Sequence, residues 1–318
     1  MNLIRYFPIA PNLNFLGLRV VFLGISATLI VASIILFAVF GLNLGVDFRG
    51  GILIEVQTKA PANLADLRSR LGNLGLGEVS LQQFGAPTDI LINVQRQDGE
   101  EGEQNAAINA IKRELGDQVA EYRRAEFVGP KVGGELKRAG ILATVLAMLG
   151  ITVYIWFRFE WQFAVGGLVA LFHDVVATIG FLALTQLEFN LSTLAAVLTI
   201  AGYSINDTVV IFDRVRETLR KYKKMPLLDL LNLSVNQTLS RTTLTSFTTL
   251  LALISLAVFG GEVIRGFAVV LIWGVILGTY SSWGLAVPLL SYMSLRAGVS
   301  ATGDGKEDKA GKTAQETS

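Results

Sequence analysis

The chain has 318 residues, 52% hydrophobic and 17% charged, with a net charge of +1 and a mean hydropathy of +0.51. That is too apolar for an ordinary globular enzyme, and the near-neutral charge argues against a bulk nucleic-acid binder. The lack of Cys excludes disulfides, thiol catalysis and Cys-ligated metals, and the single His, His173, excludes a multi-His metal site within one chain, so no cofactor is expected.

Six apolar segments follow in chain order: Val20–Phe40, Ile141–Phe157, Phe163–Leu184, Leu191–Phe212, Thr242–Phe259 and Phe267–Leu290. Most are near the roughly 20 residues a helix needs to cross a bilayer. They predict a polytopic α-helical membrane protein with six transmembrane helices. An N-terminal segment 1–18 precedes the first span, 19–41. That span is too long for a signal-peptide apolar region, and no small-x-small cleavage site follows it, so it reads as uncleaved.

Residues 42–136 have ordinary globular composition. "ILIEVQT" (Ile52–Thr58) alternates as a strand, and a helix starts at Pro61/Asn63 and stops at Gly72. Val79–Phe84 and Asp89–Gln95 read as strands across the turn "GAPT", followed by the helix "EQNAAINAIKRELG", with Ile108, Ile111 and Leu115 on one face, and the strand "QVAEYRRAEFV". The order βαββαβ predicts a small α+β ferredoxin-like domain between spans one and two, outside the cytoplasm. It shows no catalytic set. "DFRGG" on one side and "GPKVGGEL" (Gly129–Leu136) on the other read as glycine-rich hinges.

The remaining spans occupy 137–295, with a basic connection at 213–240 that carries Arg214, Arg216, Arg220, Lys221, Lys223 and Lys224. This cluster should be cytoplasmic, which places both termini inside and the loop around Glu188 outside. Lys137 and Arg138 oppose that orientation but are outweighed. The polar segment 296–318 reads as a disordered cytoplasmic tail.

Three spans carry polar groups whose burial in hydrocarbon is costly, about 2.5–3.5 kcal/mol for a central Asp. They are His173 and Asp174, then Asn206 and Asp207, then Arg241 with the Thr-rich run that follows it. Asp207 lies about 24 Å and Arg241 about 27 Å along their helices from the outer ends, so antiparallel neighbours bring them to one level. The pair reads either as a structural ion pair or as a proton-binding carboxylate biased by a cation. Arg241, Thr245, Thr248 and Ala252 share one helix face, whose hydroxyls hold water or join helices. His173 and Asp174 point about 100° apart, so at most one should face that site. "GVILG" (Gly274–Gly278) is a small-residue helix contact.

"LGVDFRGG" (Leu44–Gly51), "HDV", "GYSINDTVVIFDR" and "RTTLTS" together resemble the SecF side of the SecD/SecF protein-export family, across all six spans and the insertion. The resemblance implies a subunit of the resistance–nodulation–division transporter class that pairs with SecD in a pseudo-symmetric bundle. It implies association with the SecYEG channel in the bacterial cytoplasmic (inner) membrane and proton-driven pulling on an unfolded exported polypeptide, with no enzyme activity. The family's functional Asp matches Asp207 and its Arg matches Arg241, with Asn206, His173 and Asp174 as further relay candidates. Asp47, Arg49, Gly50 and Gly51 form the signature exit from span one. Other readings are a subunit of a proton-driven small-molecule or lipid exporter and a purely structural subunit. An intramembrane aspartyl protease using Asp174 and Asp207 would show Gly-x-Gly-Asp where this chain has "SIND".

Overall fold

The computed structural model describes residues 12–83, 86–97 and 101–295. The predicted tail at 296–318, the end of the strand at Phe84 and part of its turn lie outside them. Among the described residues, six helices are long and apolar enough to cross a membrane, and a four-stranded sheet domain sits between the first and second.

In the sheet domain, β1 (Gly51–Thr58), α3 (Leu64–Gly72), β2 (Val79–Gln83), β3 (Asp89–Gln95), α4 (Glu101–Leu115) and β4 (Val119–Val128) follow in order. The sheet runs β2-β3-β1-β4, antiparallel throughout, with Ile54 opposite Ile92 and Ala125. Period-two alternation puts Ile52, Ile54, Val56, Ile90, Ile92 and Val94 on one face, all buried against Leu67, Leu71, Ile111 and Leu115 of the helices. The α3 start is fixed by Asn63, whose side chain accepts from the Ala65 and Asp66 N–H groups.

The membrane part consists of α1 (Arg19–Phe40), α5 (Pro130–Arg158), α6 (Trp161–Thr185), α7 (Leu191–Lys221), α8 (Leu227–Phe259) and α9 (Glu262–Ser281). After α9 comes a π-helical turn, 282–286, and the short α10 (Val287–Leu290). The α6, α7 and α9 helices make the centre, with α1 against α6, α5 against α6 and α7, and α8 against α7 and α9. Glycines set the close approaches. A Cβ at Gly274 would collide with Ile200, and one at Gly278 would lie 3.0 Å from the Ser204 Cβ, so the GxxxG face brings α9 onto α7. The α7 and α8 helices are about 46 and 50 Å long, well beyond a hydrocarbon core of about 30 Å. Most of the basic connection 213–240 is therefore helix, and only residues 222–226 join the two.

The two expected hinges are not open loops. "GPKVGGEL" is the start of α5, with Pro130 in its first turn. Gly133 packs on the other connection, where a Cβ would lie 3.1 Å from the Phe48 carbonyl and 3.3 Å from the Gly50 nitrogen. Gly50 and Gly51 have φ of +75° and +145°, which other residues rarely adopt, and a Cβ at Gly51 would lie 2.7 Å from the Val94 oxygen. These glycines make a close-packed joint.

That joint clasps the loop before α7. The helical turn α2 (Val46–Arg49) lies beside it. The Gly45 N–H donates to the Phe189 carbonyl, the Phe189 N–H donates to the Asn43 carbonyl, and Phe48 stacks on Phe189 at 5.3 Å. Asp47 Oδ2 accepts from the Leu191 N–H at 2.9 Å, and Asn190 caps the same helix by accepting from Thr193 N–H. A carboxylate at the α7 N-terminus satisfies an orphan donor and meets the positive end of the helix dipole. Asp47→Ala should cost about 1 kcal/mol at this cap and speed amide exchange at Leu191 about fivefold, with Asp47→Asn retaining most protection.

Glu188 accepts from Gln82 Nε2 of the sheet domain at 3.2 Å. Burial, and to a smaller extent the Asp47 charge, push its carboxyl above the ordinary value of 4.5, against the Gln82 hydrogen bond. The folded clasp thus binds this proton more tightly than the unfolded chain. Its stability is greatest in acid and falls as pH rises from the ordinary carboxylate value through the raised one. Glu188→Gln should flatten this dependence and raise amide protection at Gly45 and Phe189 at neutral pH, as read by hydrogen exchange.

Candidate intramembrane polar site

Two carboxylates sit inside the helix bundle. Asp174, on α6, is fully buried. Its Oδ1 lies 2.8 Å from His173 Nδ1, and its Oδ2 accepts from the hydroxyls of Ser204 on α7 and Ser281 on α9. Three helices therefore meet on one carboxylate, whose partners satisfy the cost of burial. His173 and Asp174 both face inward and bond each other, which the 100° estimate did not anticipate, because a rotated imidazole reaches back to the neighbouring side chain. His173 Nε2 is buried with no partner, beside the Tyr280 ring. Tyr280 donates to the Phe22 carbonyl and bonds Ser26, tying α1 to α9.

Asp207, on α7, is buried at 2% exposure, and its Oδ2 makes no hydrogen bond. Ser246 of α8 lies beside the carboxylate, and Arg241 is close enough to act on it electrostatically. Ser246 in turn bonds Thr279 of α9 at 2.7 Å. Among the described residues, Asp207 and Arg241 make no ion pair with each other, although they lie on neighbouring helices.

Two expected placements differ. Arg241 is exposed on the surface of this chain, as are Thr248 and Ala252, with Thr245 half-buried. The inward face of α8 is instead Thr238, Thr242 and Ser246. Thr245 and Thr248 spend their hydroxyls on their own helix, at the carbonyls of Arg241 and Leu244. Asn206 is also exposed, on a stripe of α7 with Thr199 and Gly202.

Sequence reasoning missed Ser204, Thr279 and Tyr280 as parts of the polar core, and named Ser246 only as one of the polar run after Arg241. Ser204 stands within the quoted "GYSIND", three residues before Asp207, a spacing that puts both on one side of α7. Ser281 and the π-helical turn at 282–286 lie together, and such bulges redirect side chains within helices.

Six membrane-spanning helices with an insertion after the first, and two acidic groups inside the bundle, define a polytopic membrane protein of α-helical type with an α+β domain. A family model described as protein export membrane protein SecD/SecF, C-terminal, matches residues 107–296, and one described as the SecD/SecF GG motif matches residues 35–62. The protein translocase subunit SecF of Rickettsia felis is 46% identical over 92% of this chain and 96% of its own. That of Cereibacter sphaeroides is 46% identical over 96% of this chain and 95% of its own. The crystal structure of SecDF, a translocon-associated membrane protein from Thermus thermophilus, aligns with a TM-score of 0.79 at 33% identity over 90% of this chain. This chain spans 39% of that SecDF chain. The chain belongs to the SecD/SecF protein-export family, as a SecF-type translocase subunit and not an enzyme.

Removing the Asp174 carboxylate leaves two hydroxyls and an imidazole without their acceptor. Asp174→Ala should destabilise the bundle by about 3–5 kcal/mol, and Asp174→Asn by clearly less because one acceptor oxygen stays. Apparent melting temperatures of the two purified variants check this, and equal losses would remove Asp174 from its place as the hub.

Proposed function

We propose that this chain pairs with SecD in the bacterial cytoplasmic membrane and uses the proton-motive force at Asp207 to promote export of unfolded polypeptides through the SecYEG channel. The observation that carries the reading is the buried Asp207 with an unpartnered oxygen, unlike Asp174, whose two carboxylate oxygens are both bonded. An acid held without its full set of partners has room to gain a proton, and one charge moved through 100 mV is worth about 2.3 kcal/mol. That shifts a balanced equilibrium to roughly 50:1.

Pairing is supported by the exposed polar groups on the membrane surface of the chain. Thr199 and Asn206 on α7 face outward. Polar groups are costly against lipid and are covered by another helix or by water. This chain covers 39% and 40% of the two SecDF chains it matches, so the larger part of each lies outside the match. The basic end of α7 and α8 is taken as cytoplasmic from its Arg and Lys content, with both termini on that side and the sheet domain outside. The relay assigned to Asn206, His173 and Asp174 is narrower than the sequence suggests. Asp174 with His173 organises the bundle, and Asn206 borders the paired surface.

Asp207→Asn keeps size and removes titration. It should abolish proton-dependent export in reconstituted vesicles with SecD and the channel, while insertion and pairing remain. Arg241→Ala should reduce export more than Arg241→Lys, which keeps the charge but not the guanidinium fork. Normal export and proton flux in stably inserted Asp207→Asn would leave a structural subunit as the better reading.

A further inference from the structure

At the end of the bundle opposite the sheet domain, α7 and α8 enclose an open cleft of about 950 Å³. Its lining includes Arg158, Arg214, Arg216, Arg220, Lys221 and Arg241, against only two carboxylates, Asp213 and Glu217. Both carboxylates are already spent. Arg158 Nη2 reaches both oxygens of Asp213 at 3.0 and 3.2 Å, and Arg214 Nη1 bonds Glu217 at 2.6 Å. These pairs, with Arg214 Nε on Gln237 of α8 at 2.6 Å, hold the walls together. Among the described residues, Arg216, Arg220, Lys221 and Arg241 make no ion pair with a carboxylate. A cleft with this surplus of cations is built for an anion.

The geometry points to the phosphate headgroup of an anionic phospholipid as its occupant, in a binding site that shares only Arg241 with the Asp207 site. Three observations favour a lipid. Arg241, in the cleft lining, lies about 27 Å along α8 from its far end, where a core of about 30 Å gives way to headgroups. Continuing along α8 toward the membrane centre, Leu244 is 58% exposed, Phe247 56% and Leu251 50%, an uncovered apolar wall fit for an acyl chain. The cleft is open to one side rather than enclosed, and guanidinium groups bind phosphate oxygens in pairs. The chain's own residues 296–318 carry four basic and four acidic side chains, so they offer no net negative charge to fill it. Basic pockets between membrane helices recognise anionic headgroups by this chemistry.

The site rests on the membrane placement of these helices, not on the proton reading, and its test uses binding alone. The full chain is purified with its SecD partner, or by itself if no pair forms, and titrated with dioleoylphosphatidylglycerol or dioleoylphosphatidylcholine by native mass spectrometry. Bound phosphatidylglycerol should exceed phosphatidylcholine. The pair Arg216→Gln/Arg220→Gln should weaken phosphatidylglycerol about 30-fold, at about fivefold per charge. Lys223→Gln/Lys224→Gln, outside the lining, should leave it nearly unchanged. Arg220→Gln alone, weakening it about fivefold, serves if the double variant does not fold. Equal losses in the two pairs would overturn the cleft in favour of a diffuse surface field. Displacement of the lipid by millimolar inorganic phosphate would assign the cleft to a soluble anion, and displacement by a short poly-glutamate peptide would assign it to an acidic protein segment. Either result overturns the lipid site.

Discussion

The bundle is organised around the cost of placing a carboxylate where water is scarce. Asp174 and Asp207 meet that cost in opposite ways. Asp174 is closed on all sides, with His173, Ser204 and Ser281 on its two oxygens. A network of this kind is rigid, because breaking any member leaves a buried polar group unpaired. Asp207 keeps one oxygen without a partner. Burial without full satisfaction is unfavourable by about 1–3 kcal/mol or more, and it persists where the group has another use. The contrast sets a fully bonded carboxylate beside one that is not, within the same bundle.

Both arrangements depend on small residues. Gly274 and Gly278 let α9 lie on α7 at Ile200 and Ser204, and that approach carries Ser281 to Asp174 and Thr279 to Ser246. Gly180 plays the same part between α6 and α1, where a Cβ would collide with Ser33. In lipid there is no hydrophobic drive between helices, so close backbone approach and the hydrogen bonds it permits hold them together. The polar centre and the glycine contacts are therefore one feature. A bulky residue at Gly274 would separate α7 from α9 and unmake the Asp174 hub without touching it.

Much of this is legible in the sequence, and what is not shares one physical cause. Six spans, the βαββαβ order and the common level of Asp207 and Arg241 follow from periodicity and helix rise, which are local properties. The inward face of α8 did not follow. Arg241, Thr245 and Thr248 form as good a stripe as Thr238, Thr242 and Ser246, and only the packing of α7 and α9 decides between them. The clasp at Asp47 was also hidden, because Asp47 and Leu191 are joined by folding across the sheet domain and two spans. The glycine runs read as hinges because a sequence shows the absence of a side chain and not what occupies its place. At Gly133 and Gly51 that place is filled by backbone.

The packing at these glycines bears on how the sheet domain is joined to the helices. Loose hinges would let the domain turn independently of the helices. Here the signature segment is fastened to the α7 start at Asp47, to the preceding loop at Gly45 and to α5 at Gly133. Gln82 of β2 reaches the same loop at Glu188. The helix that begins at this clasp is the one that carries Asp207, about 24 Å farther along. A continuous helix transmits displacement along its axis with little loss, whereas a glycine loop absorbs it. Asp47, Phe48 and Gln82 thus join the sheet domain directly to the start of the helix that carries Asp207.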